Sequence, residues 1–268
     1  MVLLYDPSVA GNQSSHRVDV LGVRIDDVGF SQALAMLERF VDEGTPHRVV
    51  TPNPEMVMLA RRDPGFRDLL NASDLSIPDG VGLLIAARAA GERLRAHVRG
   101  TDLVLALAER SEKRHWRWFL LGAGPGVADA AAARLRESFP GLEIAGTLAG
   151  SPDPADDRAA RDAIRAAGKV HVLLVAYGAG PQERWIARNQ AATGVPVQIG
   201  VGGVLDYVSG QVARAPEWIR RLELEWAFRL TTQPWRWRRQ LALPLFAVAA
   251  AREAVQRRRA GSGPDRTA

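Results

Sequence analysis

The feature that most constrains this chain is a regular alternation of short apolar segments with longer helical patterns between residues 116 and 201. Four compact apolar runs predict strands, at 116–121, 142–145, 170–177 and 195–201. The segments between them predict helices, at 127–139, 155–167 and 182–191. Strands joined by helices of this length pair in parallel, and the helices cover both faces of the sheet. The pattern therefore predicts an α/β protein with a mostly parallel sheet.

The first part of the chain extends this pattern. It predicts a strand with a shift of phase at 18–25, a helix at 30–41, a short strand at 49–51, and helices at 55–62 and 81–90. We therefore expect a Rossmann-like core over residues 17–211. The polar residues 1–16 lack periodicity, and we expect them to form a mobile tail.

The pattern changes after Gly202. Residues 215–226 predict a helix with an apolar stripe of Trp218, Leu222, Trp226 and Leu230. Between residues 214 and 259 there are eleven arginines and four acidic residues, so this segment carries +7 and the remainder of the chain −2. We expect a basic helical appendage at 212–260 and a disordered tail at 261–268.

Composition excludes several classes of protein. The chain of 268 residues has no cysteine, so disulfides, thiolate zinc sites and a cysteine nucleophile are excluded. Its five histidines form no pair with the spacing of a zinc hydrolase. No run of about 18 apolar residues is present, and the N-terminus does not have the pattern of a secretory signal. These observations favour a protein that stays in the cytoplasm.

Two glycine-rich segments follow predicted strands. The first is Gly122-Ala123-Gly124-Pro125-Gly126, and the second is Gly200-Val201-Gly202-Gly203, which Asp206 soon follows. Their backbone N–H groups suit a nucleotide diphosphate, and Asp206 suits a ribose hydroxyl or a base edge. The alternatives are tight turns between strand and helix, with Asp206 capping a turn. If both loops bind, they frame one crevice at the carboxyl edge of the sheet.

Polar residues also stand where two strands of the N-terminal part end. Thr51 and Asn53 lie in one such segment, and Asp79 lies in the other. A carboxylate held near a sugar hydroxyl at this edge is a candidate general base. The alternative for Asp79 is capping of the following helix.

These segments together resemble the WecG/TagA/CpsF glycosyltransferases. The resemblance spans roughly residues 18–245 and is carried by the run from Thr51 to Asp102, by Gly178 to Trp185 and by Gly200 to Arg239. The last block is the most specific, with Gly202-Gly203-Val204-Leu205-Asp206-Tyr207, Gly210, Arg214-Ala215-Pro216, Leu224-Glu225-Trp226 and Arg229-Leu230.

The resemblance implies inverting transfer of a sugar from a UDP-sugar to an undecaprenyl-diphosphate-linked acceptor at the cytoplasmic membrane face. The family builds teichoic-acid linkage units and other surface polysaccharides. It implies that Asp79 is the general base, that Thr51, Asn53 and Gln182 lie in the same pocket, and that Asp206 lies near the nucleotide. It leaves N-acetylmannosamine, its uronic acid and a hexose open as donor sugars, and it favours a homo-oligomer.

The resemblance also gives the appendage a function, namely to close over the site and supply Arg229, Arg236 and Arg239 to the donor diphosphate. Because no Asp-x-Asp occurs in the sequence, we expect catalysis without a metal or other cofactor. The Trp-Arg-Trp-Arg-Arg segment at 235–239 and the apolar run 241–251 suit the surface of an anionic bilayer. The competing interpretation is a helix packed on the core or on another subunit.

One residue departs from the family pattern. His97 stands where the family usually has an arginine, in His97-Val98-Arg99-Gly100, so Arg95 and Arg99 are the candidates to replace that arginine. His97 itself is either a phosphate ligand or a partly exposed polar residue. This departure leaves open a non-catalytic nucleotide-binding regulator or scaffold of polysaccharide assembly. Nucleic-acid binding through the basic appendage is disfavoured because no nucleic-acid module accompanies it.

Overall fold

Residues 17–26 form a β-hairpin. The computed structural model describes residues 16–234 and 237–261, and it begins with the antiparallel strands β1 (Arg17–Val20) and β2 (Val23–Asp26). Leu21 and Gly22 make the turn with φ of 56° and 88°. This turn explains the shift of phase at 18–25, where one strand was expected.

The six other strands form one parallel sheet. They are β3 (His47–Val50), β4 (Leu75–Ser76), β5 (Arg117–Gly122), β6 (Glu143–Leu148), β7 (Val172–Ala176) and β8 (Val197–Gly200). Their order is β4-β3-β8-β7-β5-β6, and every pair is parallel. The carboxyl ends of β3, β4, β5, β7 and β8 therefore meet along one edge, which is where open α/β sheets bind ligands.

Helices connect the strands and cover both faces. They are α1 (Phe30–Glu43), α2 (Pro54–Arg62), α3 (Pro64–Asn71), α4 (Val81–Ala89), α5 (Gly100–Arg114), α6 (Val127–Ser138), α7 (Asp157–Ala166), α8 (Pro181–Thr193) and α9 (Val204–Val208). Along β5, Trp118 and Leu120 face α1, α5 and α6, whereas Phe119 and Leu121 face α7 and α8. The predicted α/β fold with helices on both faces is confirmed. The helices α3, α5 and α9 are not among those that the residue patterns predict.

Four further helices form the appendage: α10 (Glu217–Arg221), α11 (Glu225–Thr232), α12 (Trp237–Gln240) and α13 (Ala242–Gly261). The single helix expected at 215–226 is wrong. The chain leaves helical geometry between α10 and α11, where Glu223 has a φ of 59°. Two short helices therefore replace one.

The last helix is packed on the core. Phe246 and Ala250 of α13 are 4% and 8% exposed and join a cluster with Met56 of α2 and Leu83 of α4. Arg257 adds an ion pair with Asp19 of the hairpin, with 3.4 Å between Nη2 and Oδ1. One face of the apolar run at 241–251 therefore belongs to the protein interior, as the competing interpretation had it.

Candidate active site

A cavity of about 890 Å³ lies at the carboxyl edge of the sheet. Its core wall is formed by the segments that follow β3, β4, β5, β7 and β8, and its other wall by α11, α13 and the turn before α11. Gly124, Gly202 and Gly203 all line it, so the two glycine-rich segments do frame one crevice. The same cavity is lined by seven further residues that the sequence singles out: Thr51, Asn53, Asp79, His97, Gln182, Asp206 and Arg229.

Asp79 is held at this edge by its own backbone. Its N–H donates to the Pro52 carbonyl at 2.9 Å. This bond continues the pairing of β4 with β3, two residues beyond the bond from Ile77 N–H to the Val50 carbonyl at 2.8 Å. The following helix α4 is capped by Gly80, with no side-chain hydrogen bond at the cap. The capping alternative for Asp79 is therefore wrong, and its carboxylate lines the cavity instead.

The surroundings of Asp79 raise the pKa of its carboxyl group. Desolvation in the cavity wall, the negative charge of Glu225 and, more weakly, Asp102 raise its pKa to about 7, although Arg229 and Arg99 oppose this. A group with such a pKa accepts a proton readily at physiological pH. Among the charged groups, Glu225 of α11 has the largest effect on the pKa of Asp79, so the appendage takes part in setting the basicity of this carboxylate.

Thr51 and Asn53 have local partners as well as a place on the wall. The Thr51 hydroxyl donates to the Gly200 carbonyl at 3.5 Å, which ties the end of β3 to the end of β8. Asn53 is the N-cap of α2, and its Oδ1 accepts from Met56 N–H at 3.0 Å. Both side chains therefore fix the loop that carries the Pro52 carbonyl, the acceptor of the Asp79 N–H.

A buried pair on α8 organises the glycine loops. Gln182 Oε1 accepts from Gly202 N–H at 2.9 Å, and Gln182 Nε2 donates to Glu183 Oε1 at 2.7 Å. Glu183 Oε2 accepts from Gly180 N–H at 2.6 Å. Burial raises the pKa of Glu183, and these hydrogen bonds oppose the rise. Gly200 is required beside them, because a Cβ there would lie 2.7 Å from Gln182 Nε2.

Arg229 brings a positive charge to the second glycine-rich segment. A Cβ at Gly203 would lie 2.8 Å from Arg229 Nη2 and 3.3 Å from Asp206 Oδ2. The guanidinium also stacks over Tyr207, with Cζ at 4.8 Å from the ring centroid. Glycine at 203 therefore lets an arginine, a carboxylate and backbone N–H groups approach one another beside the cavity.

His97 contacts the appendage through Glu223. His97 Nε2 is 3.1 Å from Glu223 Oε2, and Arg99 Nη2 is 2.5 Å from Glu223 Oε1. Desolvation and Arg99 lower the pKa of His97, while Glu223 opposes them. Arg95 instead pairs with Asp27, with Nε and Oδ2 2.9 Å apart, and does not line the cavity. Arg99 is thus the arginine of this segment at the cavity.

Three predicted binding residues are not placed there by the structure. Gly122 does not line the cavity; a Cβ at this position would lie 2.8 Å from the Ala176 carbonyl carbon, so glycine serves the close approach of β5 and β7. Arg236 lies outside the described residues, as does the side chain of Arg239. Conversely, Glu183, Glu223 and Glu225 were not singled out from the sequence.

The described residues contain neither a cluster suited to a metal ion nor a helix suited to span a membrane. Within 16–234 and 237–261 there is no group of three or more His, Asp or Glu side chains arranged to hold a metal ion. No helix in the same ranges is both long and apolar enough to cross a bilayer. Catalysis without a metal stays a prediction.

The fold and the cleft define an α/β enzyme whose cavity is lined by a candidate carboxylate base and by two glycine-rich loops. Residues 18–260 match the sequence profile of the glycosyl transferase WecG/TagA/CpsF family. The chain therefore belongs to this family, and it is a glycosyltransferase of the WecG/TagA type.

Three relatives carry the name N-acetylglucosaminyldiphosphoundecaprenol N-acetyl-beta-D-mannosaminyltransferase. The protein from Bacillus spizizenii is 34% identical over 78% of this chain and 80% of its own length. Its counterpart in Bacillus subtilis is 32% identical over 81% and 83%, respectively. The Staphylococcus aureus protein is 27% identical over 89% and 94%. These names describe lipid-linked N-acetylmannosamine transfer in the relatives.

Proposed function

We propose that this enzyme transfers a sugar from a UDP-sugar, with inversion, to a hydroxyl of an undecaprenyl-diphosphate-linked sugar during synthesis of a cell-surface polysaccharide or teichoic acid. N-acetylmannosamine is the first donor sugar to test, because the relatives carry it in their names; its uronic acid and a hexose come next. The observation that carries the proposal is Asp79, a carboxylate with a pKa of about 7 in the cavity.

In the proposed step, Asp79 removes the proton of the acceptor hydroxyl while the hydroxyl oxygen attacks the anomeric carbon. The bond from that carbon to the UDP oxygen breaks on the opposite face, so the configuration inverts and UDP leaves as an anion. The proton ends on Asp79. We assign Arg229 and the backbone at Gly203, which both line the cavity, to the negative charge that develops on UDP.

We propose that the appendage meets an anionic membrane on its cytoplasmic face. Among the residues that the structure describes, most of the large apolar side chains that are exposed belong to the appendage: Trp218, Leu222, Leu224, Trp226, Trp237, Leu241, Leu245, Val248 and Val255. Tryptophan prefers the interface of a bilayer, and arginine gains from anionic headgroups. The same surface also suits contact between copies of the chain, so vesicle binding and oligomeric state are to be measured together.

Transfer to a polyprenyl-diphosphate-GlcNAc acceptor from a panel of UDP-sugars tests the proposal. We expect turnover with one donor, unchanged by EDTA. A requirement for added Mg²⁺ would contradict catalysis without a metal but would leave the proposed sugar transfer standing. Binding of UDP without turnover of any donor would favour the non-catalytic regulator or scaffold. Binding of single-stranded DNA in place of anionic vesicles would contradict the membrane assignment.

A further inference from the structure

The cavity continues away from Asp79 as an apolar groove between α4 and α13. One wall is formed by Ile85 and Ala89 of α4, and the other by Leu243, Ala247 and Ala251, which are one turn apart on α13. Ala86, Phe246 and Ala250 form its floor. At 1.5 Å per residue, the α13 wall is about 12 Å long.

The groove is open although its floor is part of the core. Phe246 is 4% exposed, whereas Ile85, on the wall beside it, is 64% exposed. Alanine at 247 and 251 leaves empty the space that larger apolar residues would fill. Gly82 keeps the end near Asp79 narrow, since a Cβ there would lie 3.0 Å from Pro54 Cγ.

Charge is divided along the cavity. The charged residues that line it are Glu55 of α2, Asp79 after β4, Arg99 before α5, Asp206 of α9, and Glu223, Glu225 and Arg229 of the appendage; the lining residues of α4 and α13 carry no charge. A ligand that fills both parts must therefore have a polar head near Asp79 and Arg99 and an apolar chain beyond them. A nucleotide sugar meets only the first requirement.

We propose that the groove between α4 and α13 binds the prenyl chain of the acceptor, at the isoprene units next to the diphosphate. This assignment rests on the proposed function, which supplies a prenyl-linked acceptor. Because the groove is continuous with the cavity at Asp79, a chain that occupies the groove is attached to the molecule that reacts there. Its apolar walls give the chain contacts that it would lack in a site made for the headgroup alone.

A bulky residue in the groove separates chain binding from headgroup binding. Ala247→Trp fills the groove from an exposed position, and Gln256→Trp adds the same ring at an exposed position further along α13, outside the residues that line the cavity. Both are assayed in detergent with two acceptors that share a headgroup, one with a long prenyl chain and one with a short alkyl chain. We expect Ala247→Trp to raise KM for the long-chain acceptor about tenfold, because losing contact with even two methylene groups costs that factor.

The short-chain acceptor should keep its kcat/KM in Ala247→Trp, and Gln256→Trp should leave kcat/KM unchanged for both acceptors. Equal losses for both acceptors, or an unchanged KM for the long chain, would overturn the assignment. A wild type that is dimeric and becomes monomeric in Ala247→Trp would show that a second copy covers the groove, which also overturns it.

Photolabelling tests the groove without turnover. A benzophenone-bearing geranyl diphosphate should label peptides from 81–89 and 242–251 in the wild type and in Gln256→Trp, and not in Ala247→Trp. Labelling of these peptides in an enzyme that transfers no sugar would support prenyl binding in the groove and contradict the proposed function. Sugar transfer with labelling elsewhere would keep the function and overturn the groove.

Discussion

The two walls of the active-site cavity are built differently. The core wall consists of strand-end loops whose backbone bonds and buried side chains fix one another, as in the chain from Glu183 through Gln182 to Gly202 N–H. The appendage wall near the site is attached by ion pairs at partly exposed positions, such as Arg214 with Asp102 at 2.6 Å and Glu223 with Arg99 at 2.5 Å. The core wall is therefore preformed, and the appendage wall contributes charge that depends on its docking.

The largest difference between the walls should appear at Asp79. Asp79→Asn removes the base and keeps the shape, so we expect kcat to fall about 10²- to 10⁴-fold. UDP binding by calorimetry should persist. Asp68→Asn, on an exposed part of α3, is the control and should keep full activity. Retention of more than a tenth of kcat in Asp79→Asn would contradict its role.

Arg229 tests the charge that the appendage supplies. A charged hydrogen bond to a phosphate contributes about 1.5–3 kcal/mol, so Arg229→Ala should lower kcat/KM for the donor by about ten- to a hundredfold. The fold should be retained, since Arg229 lies on the appendage. Arg221→Ala, on the exposed side of α10, is the matched variant and should change little. Equal effects of the two variants would show that Arg229 acts only through general charge.

The free energy of unfolding of a Glu183 variant shows how much this residue contributes to the preformed core wall. In Glu183→Gln an amide N–H₂ must face the donor at Gly180 or at Gln182, so one buried donor loses its acceptor. We expect a loss of about 1–3 kcal/mol in the free energy of unfolding, together with a higher KM for the donor. Denaturant unfolding of this variant beside Glu109→Gln, which is exposed on α5, measures the difference. A loss of stability with unchanged KM would limit Glu183 to folding.

Glu223 should show the smallest effect. Its pairs with Arg99 and His97 are partly exposed, so Glu223→Gln should reduce kcat/KM only a few-fold, in line with about 1 kcal/mol or less for such pairs. The wild type and the variant should converge as salt is raised. Glu217→Gln, exposed on α10, serves as control. A difference that persists in high salt would assign Glu223 a role beyond docking.

The sequence predicts the core better than the appendage. Alternation of apolar runs and helices locates β5 to β8, and breakers at strand ends locate Thr51 and Asp79. The sequence does not assign a role to Glu183 or Glu225. A single acidic residue on a helix forms no recognisable pattern, and its role depends on whether the fold buries it or brings it close to another carboxylate. The break at Glu223 is missed because an apolar stripe continues across it, while Gly122 follows the pattern of a phosphate loop and yet serves strand packing.

The pH dependence of kcat/KM tests most directly whether Asp79 is the base and whether Glu225 of the appendage adds to the rise in its pKa that desolvation causes. Activity requires the carboxylate, so it should rise with pH through about 7. Glu225 raises the pKa of Asp79, so Glu225→Gln should move the rising limb to lower pH, whereas Glu217→Gln should leave it in place. A profile without a limb near pH 7, or a limb that Glu225→Gln does not move, would contradict the account.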